Sequence, residues 1–200
     1  GGGIFSDMSP YLKEQIGNKI PTFADYAENS IKLLSSFLDR SEVNLSKKTE
    51  VLIEPGTALA AKAIDFVVKV VSIKKIGGVT YINTTGSKYN MNPSPNRINS
   101  PTRLLNLSAN AVTDVRNGKI CGYTCIESDI IHDNFSGALS KGDLLIFEEV
   151  GAYSIVMKPP FILPDVAILE YDEKQEVFLK RRRRQTFKDI FENFTFFSKI

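Results

Sequence analysis

From Phe23 to Leu38 apolar side chains return every three or four positions, through Ile31, Leu33, Leu34, Phe37 and Leu38, which predicts an amphipathic helix. Thr22, just ahead of it, is the expected N-cap. A polar stretch from Ser41 to Thr49 leads to Val51-Leu52-Ile53, three apolar residues followed by Glu54-Pro55-Gly56-Thr57. That run predicts a short buried strand, which stops where Pro55 donates no backbone hydrogen bond and Gly56 admits unusual dihedrals. Helix followed by buried strand is the alternation of an α/β barrel, so residues 1–57 are expected to form the terminal part of one.

Beyond Thr57 the pattern becomes that of strands. Ala58 to Ala63 reads as a turn or helix start, Phe66 to Ile73 as a β-branched strand, and Gly77-Gly78 as a hairpin turn into Val79 to Asn83. Three prolines and four asparagines between Asn90 and Thr102 mark a long loop. Further strands are expected at Leu104 to Leu107, at Ala111 to Thr113, and, after a turn at Asn117-Gly118, at Lys119 to Cys125. Lys141-Gly142-Asp143 introduces another at Leu144 to Phe147, and Gly151 to Met157 reads as one more. Many short strands separated by turns predict an antiparallel sandwich or barrel over residues 58–200. The aromatic tail from Thr186 to Phe197 is expected to be a helix docking back on the barrel. The fold class expected is therefore α/β plus β.

Composition narrows the function classes. With 200 residues and 42% apolar content the chain holds enough material for an ordinary packed core. Its 25 basic and 23 acidic residues leave a net charge of +2, which gives no whole-molecule reason to expect nucleic acid. No apolar run reaches the length of a membrane span and no secretory pattern opens the chain, so no membrane contact is expected and the default compartment is the cytoplasm. Cys121 and Cys125 read as free thiols.

Several residues could carry chemistry. Glu54 ends the expected strand, where α/β folds place ligand-contacting groups. Gly1-Gly2-Gly3 reads either as a phosphate-binding nest of backbone N–H groups or as a flexible end. Cys125 alone reads as a small buried hydrophobe, and Tyr153 as a core aromatic. His132 is the only histidine and lacks ligand spacing, so no metal is expected. Arg181 to Arg184 lie close in sequence to Glu170, Asp172, Glu173 and Glu176, and are expected to be solvated or salt-bridged.

The ordered set of the glycine triplet, Glu54-Pro55-Gly56, Cys125 with Asp129, Gly151-Ala152-Tyr153 and Arg181 to Thr186 resembles the fold-type III pyridoxal-phosphate decarboxylases, which include the ornithine and diaminopimelate enzymes. The resemblance implies the terminal part of an alanine-racemase-like (β/α) barrel followed by the β domain. It also implies pyridoxal 5'-phosphate, decarboxylation of an amino acid, and a homodimer with shared active sites. By resemblance Glu54 pairs with the cofactor's ring nitrogen, which must stay protonated to absorb the carbanion. Gly1, Gly2, Gly3, Gly56 and Tyr153 approach the phosphate, and Thr57 occupies the position where the family commonly carries arginine. Cys125 corresponds to the proton donor, and Asp129, Glu127 and Tyr153 to groups near the substrate.

Ile126 follows the cysteine where diaminopimelate decarboxylases carry glutamate, and Asn92-Pro93 replaces a substrate-binding arginine-proline. The pattern is closer to decarboxylase-like members of specialised biosynthetic pathways. The family's Schiff-base lysine lies upstream of the glycine triplet, so these residues alone are expected to be inactive. The alternatives are a non-catalytic, decarboxylase-like regulatory or dimerisation protein, and a basic β-barrel that binds nucleic acid through Arg181 to Arg184.

Overall fold

The computed structural model describes residues 8–16, 20–40, 49–91, 98–107 and 112–195. The sheet starts with β1 (Phe66–Ile76), whose alternation places Phe66, Val68 and Val70 inward and Val67, Lys69 and Val71 outward. Gly77 and Gly78, both at positive φ (56° and 83°), turn the chain into β2 (Val79–Thr84), as expected for a two-residue hairpin. β3 (Thr102–Leu105), β4 (Thr113–Cys121), β5 (Ile130–Leu139) and β6 (Leu144–Phe147) complete a six-stranded sheet in the order β3-β6-β1-β2-β4-β5. One pairing differs from the antiparallel expectation: β2 and β4 run parallel, with Tyr81 opposite Lys119. The sheet curls around a core that includes Val68, Val70, Ile82, Val115, Ile120, Leu139, Leu145 and Phe147.

Four local expectations fail for identifiable reasons. Val51, Leu52 and Ile53 are not a buried strand; they are 45%, 82% and 58% exposed, because no described strand lies alongside to accept their hydrogen bonds. Asn117-Gly118 does not turn the chain. It forms a bulge inside β4, with Asn117 at φ 52° and its N–H donated to Ser136 Oγ. Gly118 has no room for a side chain there, since a Cβ would lie 2.5 Å from Val115 Cγ1. Gly151 to Met157 is a series of turns, not a strand, with Tyr153 at φ 61°. The aromatic tail gives one short helix, Phe187–Ile190, fixed by a capping box between Thr186 and Asp189; residues 196–200 lie outside the described set.

Other elements escaped the pattern altogether. A second sheet pairs β7 (Ile168–Asp172) with β8 (Val177–Arg182). Three of the four arginines form ion pairs there: Arg181 with Glu170, Arg182 with Asp165 and Arg183 with Asp189. The helical run expected after Thr22 comprises α2 (Phe23–Tyr26), a π-type stretch Ala27–Lys32, and α3 (Leu33–Arg40). Its capping box is present, with Asp25 N–H donating to Thr22 Oγ1 at 3.1 Å. Leu33 and Phe37 are 64% and 66% exposed, so the apolar face has no cover among the described residues. No described helix is long and apolar enough to cross a membrane.

Helix α1 (Pro10–Ile16) docks on the sheet by burying Leu12 and by a 3.0 Å hydrogen bond between the Tyr11 hydroxyl and His132 Nε2. Gln15 clasps Asn99 in both directions, at 2.8 and 2.9 Å. His132 is buried beside the Phe135 ring, and burial lowers its pKa from the usual 6.5. The unfolded chain therefore takes up more protons on this ring as pH falls through 6.5, and stability is lost in that direction. We expect the urea midpoint to fall between pH 7.5 and pH 5.5, and to fall less in His132→Gln, as measured by circular dichroism.

Candidate functional site

Glu54-Pro55-Gly56 enters helix α4 (Gly56–Ala60), which a short 3-10 turn, Ala61–Ala63, connects towards β1. Gly56 N–H donates back to Glu54 C=O at 2.9 Å, so the chain folds tightly at Pro55 and leaves the Glu54 side chain exposed. The turn after β6 returns to this place. Val150 N–H donates to Ile64 C=O at 3.0 Å, and Gly151 N–H to Ala61 C=O at 2.9 Å. A Cβ on Gly151 would stand 1.9 Å from Ala60 C=O, so only glycine permits the approach.

The result is a cleft of about 570 Å³ with Glu54, Pro55 and Gly56 on one side and Gly151, Ala152 and Tyr153 on the other. Two motifs separated by most of the β domain thus meet in one place. Leu59, Ile155 and Val156 supply apolar walls. Around Gly56 there is open space where a Cβ would point, which suits close approach of a flat ligand. Among the described residues Glu54 is the only charged group lining the cleft, and no lysine lines it. Thr57 is buried in the first turn of α4 and is not among the lining residues. Gly1, Gly2 and Gly3 lie outside the described residues.

Cys125, Glu127 and Asp129 sit in the loop between β4 and β5, and none of them lines this cleft. Cys121 ends the strand and Cys125 falls in the turn beyond it, so the two thiols are not on one strand as expected. Cys125 and Glu127 are exposed. Asp129 is the reverse: it is 3% exposed, and its carboxylate accepts from Ser87 Oγ (2.9 Å), Lys88 N–H (2.8 Å), Thr124 N–H (3.1 Å) and Thr124 Oγ1 (2.6 Å). Four donors from this chain satisfy both oxygens, so Asp129 clamps the cysteine loop to the Gly86–Met91 segment. Gly122 makes this possible, because a Cβ there would lie 2.1 Å from Asp129 Oδ2. Ser87 and Thr124 carried no sequence signal beyond ordinary loop composition; only the fold shows their role.

Comparison with known proteins bears on these motifs. The family profile "Pyridoxal-dependent decarboxylase, C-terminal sheet domain" matches residues 22–151. The chain belongs to this family. No curated protein matches the chain. Among solved structures, a diaminopimelate decarboxylase from M. jannaschii in complex with L-lysine superposes with a TM-score of 0.66 at 22% identity, covering 90% of this chain and 39% of that one. One from Helicobacter pylori, also with L-lysine, gives 0.67 at 18% identity over 88% and 41%. The arginine decarboxylase of Paramecium bursaria Chlorella virus, bound to agmatine, gives 0.53 at 22% over 72% and 37%. At these identities the likeness establishes the decarboxylase fold, and this chain spans well under half the length of the decarboxylases named.

Two substitutions test the architecture. Gly151→Ala forces the turn off α4 and is expected to lower Tm by about 4–8 °C in a thermal melt, from overpacking worth ~2 kcal/mol. Ser87→Ala removes one donor from a buried carboxylate and should cost about 1–3 kcal/mol by urea unfolding, with Cys125 becoming more mobile in amide exchange.

Proposed function

We propose that this chain contributes one half of the catalytic apparatus of a pyridoxal-phosphate-dependent amino-acid decarboxylase. The observation that carries the reading is the cleft in which Glu54-Pro55-Gly56 meets Gly151-Ala152-Tyr153. Its features fit one end of the cofactor: a single carboxylate for a ring nitrogen, glycine where close approach is needed, a phenol, and apolar walls for a flat ring. The cofactor, when bound, supplies the electron sink for loss of carbon dioxide. Glu54 holds the proton on the ring nitrogen. The Tyr153 hydroxyl, carried on a turn at positive φ, donates to an oxyanion at the rim.

Cys125 and Glu127 are exposed on a loop braced by Asp129 and lie outside that cleft, so a second copy of the chain presents them to it. This is the reason a homodimer with shared sites accompanies the reading. There the Cys125 thiol delivers a proton to the substrate α-carbon, and Glu127 meets the substrate's distal group. Residues 1–57 then act as the closing portion of the barrel, and the exposed Leu33, Phe37, Leu52 and Ile53 are faces that the rest of that barrel covers. No lysine lines the cleft among the described residues, which supports reading the 200 residues alone as inactive.

The test is made on the complete gene product, purified with pyridoxal phosphate. A visible absorption band and a mass increase that survives borohydride reduction are expected, with carbon dioxide released from a basic or dicarboxylic amino acid. Glu54→Gln and Cys125→Ala should each lower kcat by about a hundredfold or more, and mixing the two variants should restore part of the activity through hybrid dimers. A folded product with neither band nor adduct would sink the enzyme reading in favour of a regulatory relative.

A further inference from the structure

A second cleft, of about 830 Å³, shares no lining residue with the Glu54 cleft, and the inference drawn from it does not rest on the reading above. One wall comes from β1, β2 and the Gly122 turn, the other from Leu163, Pro164, Val166, Ala167 and Arg184. Among the described residues Arg184 is the only charged one lining it, and no acid does. Its three predecessors are all paired, whereas Arg184 makes no ion pair among the described residues.

The charges behind the walls, Lys158 and Arg182 against Asp165 and Asp129, balance, so Arg184 sets the sign within the cleft. Behind the outer wall, Asp165 lies between Lys158 Nζ and Arg182, each 3.4 Å away, so one carboxylate serves two cations. The Lys158 side chain is only 4% exposed, and Arg182 Nε is buried without a hydrogen-bond partner. On the opposite side Asp129 stands behind Thr124 with both oxygens occupied by four donors, and its charge, with that of Asp165, is felt at the cleft-lining Tyr123, whose pKa is raised by burial first and by these two acids as well. Two hydroxyls in the lining are also set as donors. Ser72 Oγ accepts from Asn83 Nδ2 at 3.0 Å and Thr85 Oγ1 from Lys69 N–H at 2.9 Å, and no described hydrogen bond uses the proton of either. Val71, Leu163 and Val166 add an apolar surface. A guanidinium, two O–H donors and an apolar floor, with no acid among the described lining residues, describe one class of ligand.

We propose that this cleft binds a small organic carboxylate carrying an apolar group, held by Arg184 with the hydroxyls of Ser72 and Thr85. The carboxylate lies against the guanidinium and the apolar group against Val166.

Phenylacetate is the probe, titrated into the ¹⁵N-labelled 200-residue chain and followed by amide shifts. Saturable shifts are expected at Thr85, Tyr123, Thr124 and Ala167, with benzyl alcohol binding at least about fivefold more weakly, as the loss of a charge-assisted hydrogen bond requires. Arg184→Gln should weaken phenylacetate by a similar factor, and Arg184→Lys by less. Where the Arg184→Gln spectrum does not superpose on that of the parent chain, Thr85→Val decides by the same criterion. Equal binding of benzyl alcohol, affinity unchanged in the folded variant, or shifts scattered over the exposed apolar surface would each overturn the proposal. Inorganic sulfate binding as tightly as phenylacetate would overturn the role of the apolar floor.

Discussion

A main-chain contact with no space for a side chain holds the Glu54 cleft together. Gly151 N–H reaches Ala61 C=O, and the same approach brings Glu54 and Tyr153 to one rim. Neither motif forms a site alone: Glu54 leads into a five-residue helix, and Tyr153 sits in irregular turns. Their placement depends on β1 and β6 being antiparallel neighbours, since helix α4 precedes the first strand and the Gly151 turn follows the second. The sheet core thus fixes the site from beneath.

Two buried aspartates play a matching part at the other turns. Asp129 ties the cysteine loop to the segment after β2. Asp143, fully buried between β5 and β6, accepts from Ser140 N–H at 2.7 Å and Leu107 N–H at 3.0 Å. Each carboxylate collects backbone donors that a loop would otherwise leave without partners. The chain thereby gives hydrogen-bond partners to connections that lack regular secondary structure.

What was legible in the sequence follows from the range of the forces involved. The β1–β2 hairpin, β6 and the Thr22 cap are local, and their glycines, alternation and capping residues name them directly. The family motifs were legible as an ordered set, and the fold brings Glu54-Pro55-Gly56 and Gly151-Ala152-Tyr153 together. The parallel β2–β4 pairing, the bulge at Asn117 and the burial of Asp129 depend on partners distant in sequence, which no local pattern encodes. Val51 to Ile53 has the composition of a buried strand, yet hydrophobicity alone does not bury a segment that has no neighbouring strand. β7 and β8 went unread because their arginines and acids alternate with apolar residues and suggest a solvated segment before they suggest a ladder.

The parallel junction also dictates an order of assembly. The β1–β2 and β4–β5 pairs each close over short spans of chain, whereas Phe66 must find Phe147 and Tyr81 must find Lys119 across long stretches of sequence. Loop-closure entropy makes those distant encounters the slow ones, so the two antiparallel pairs exist before they join. Until they do, the edges of β2 and β4 are open templates for any other strand, and that interval is when this domain is most exposed to pairing with the wrong chain.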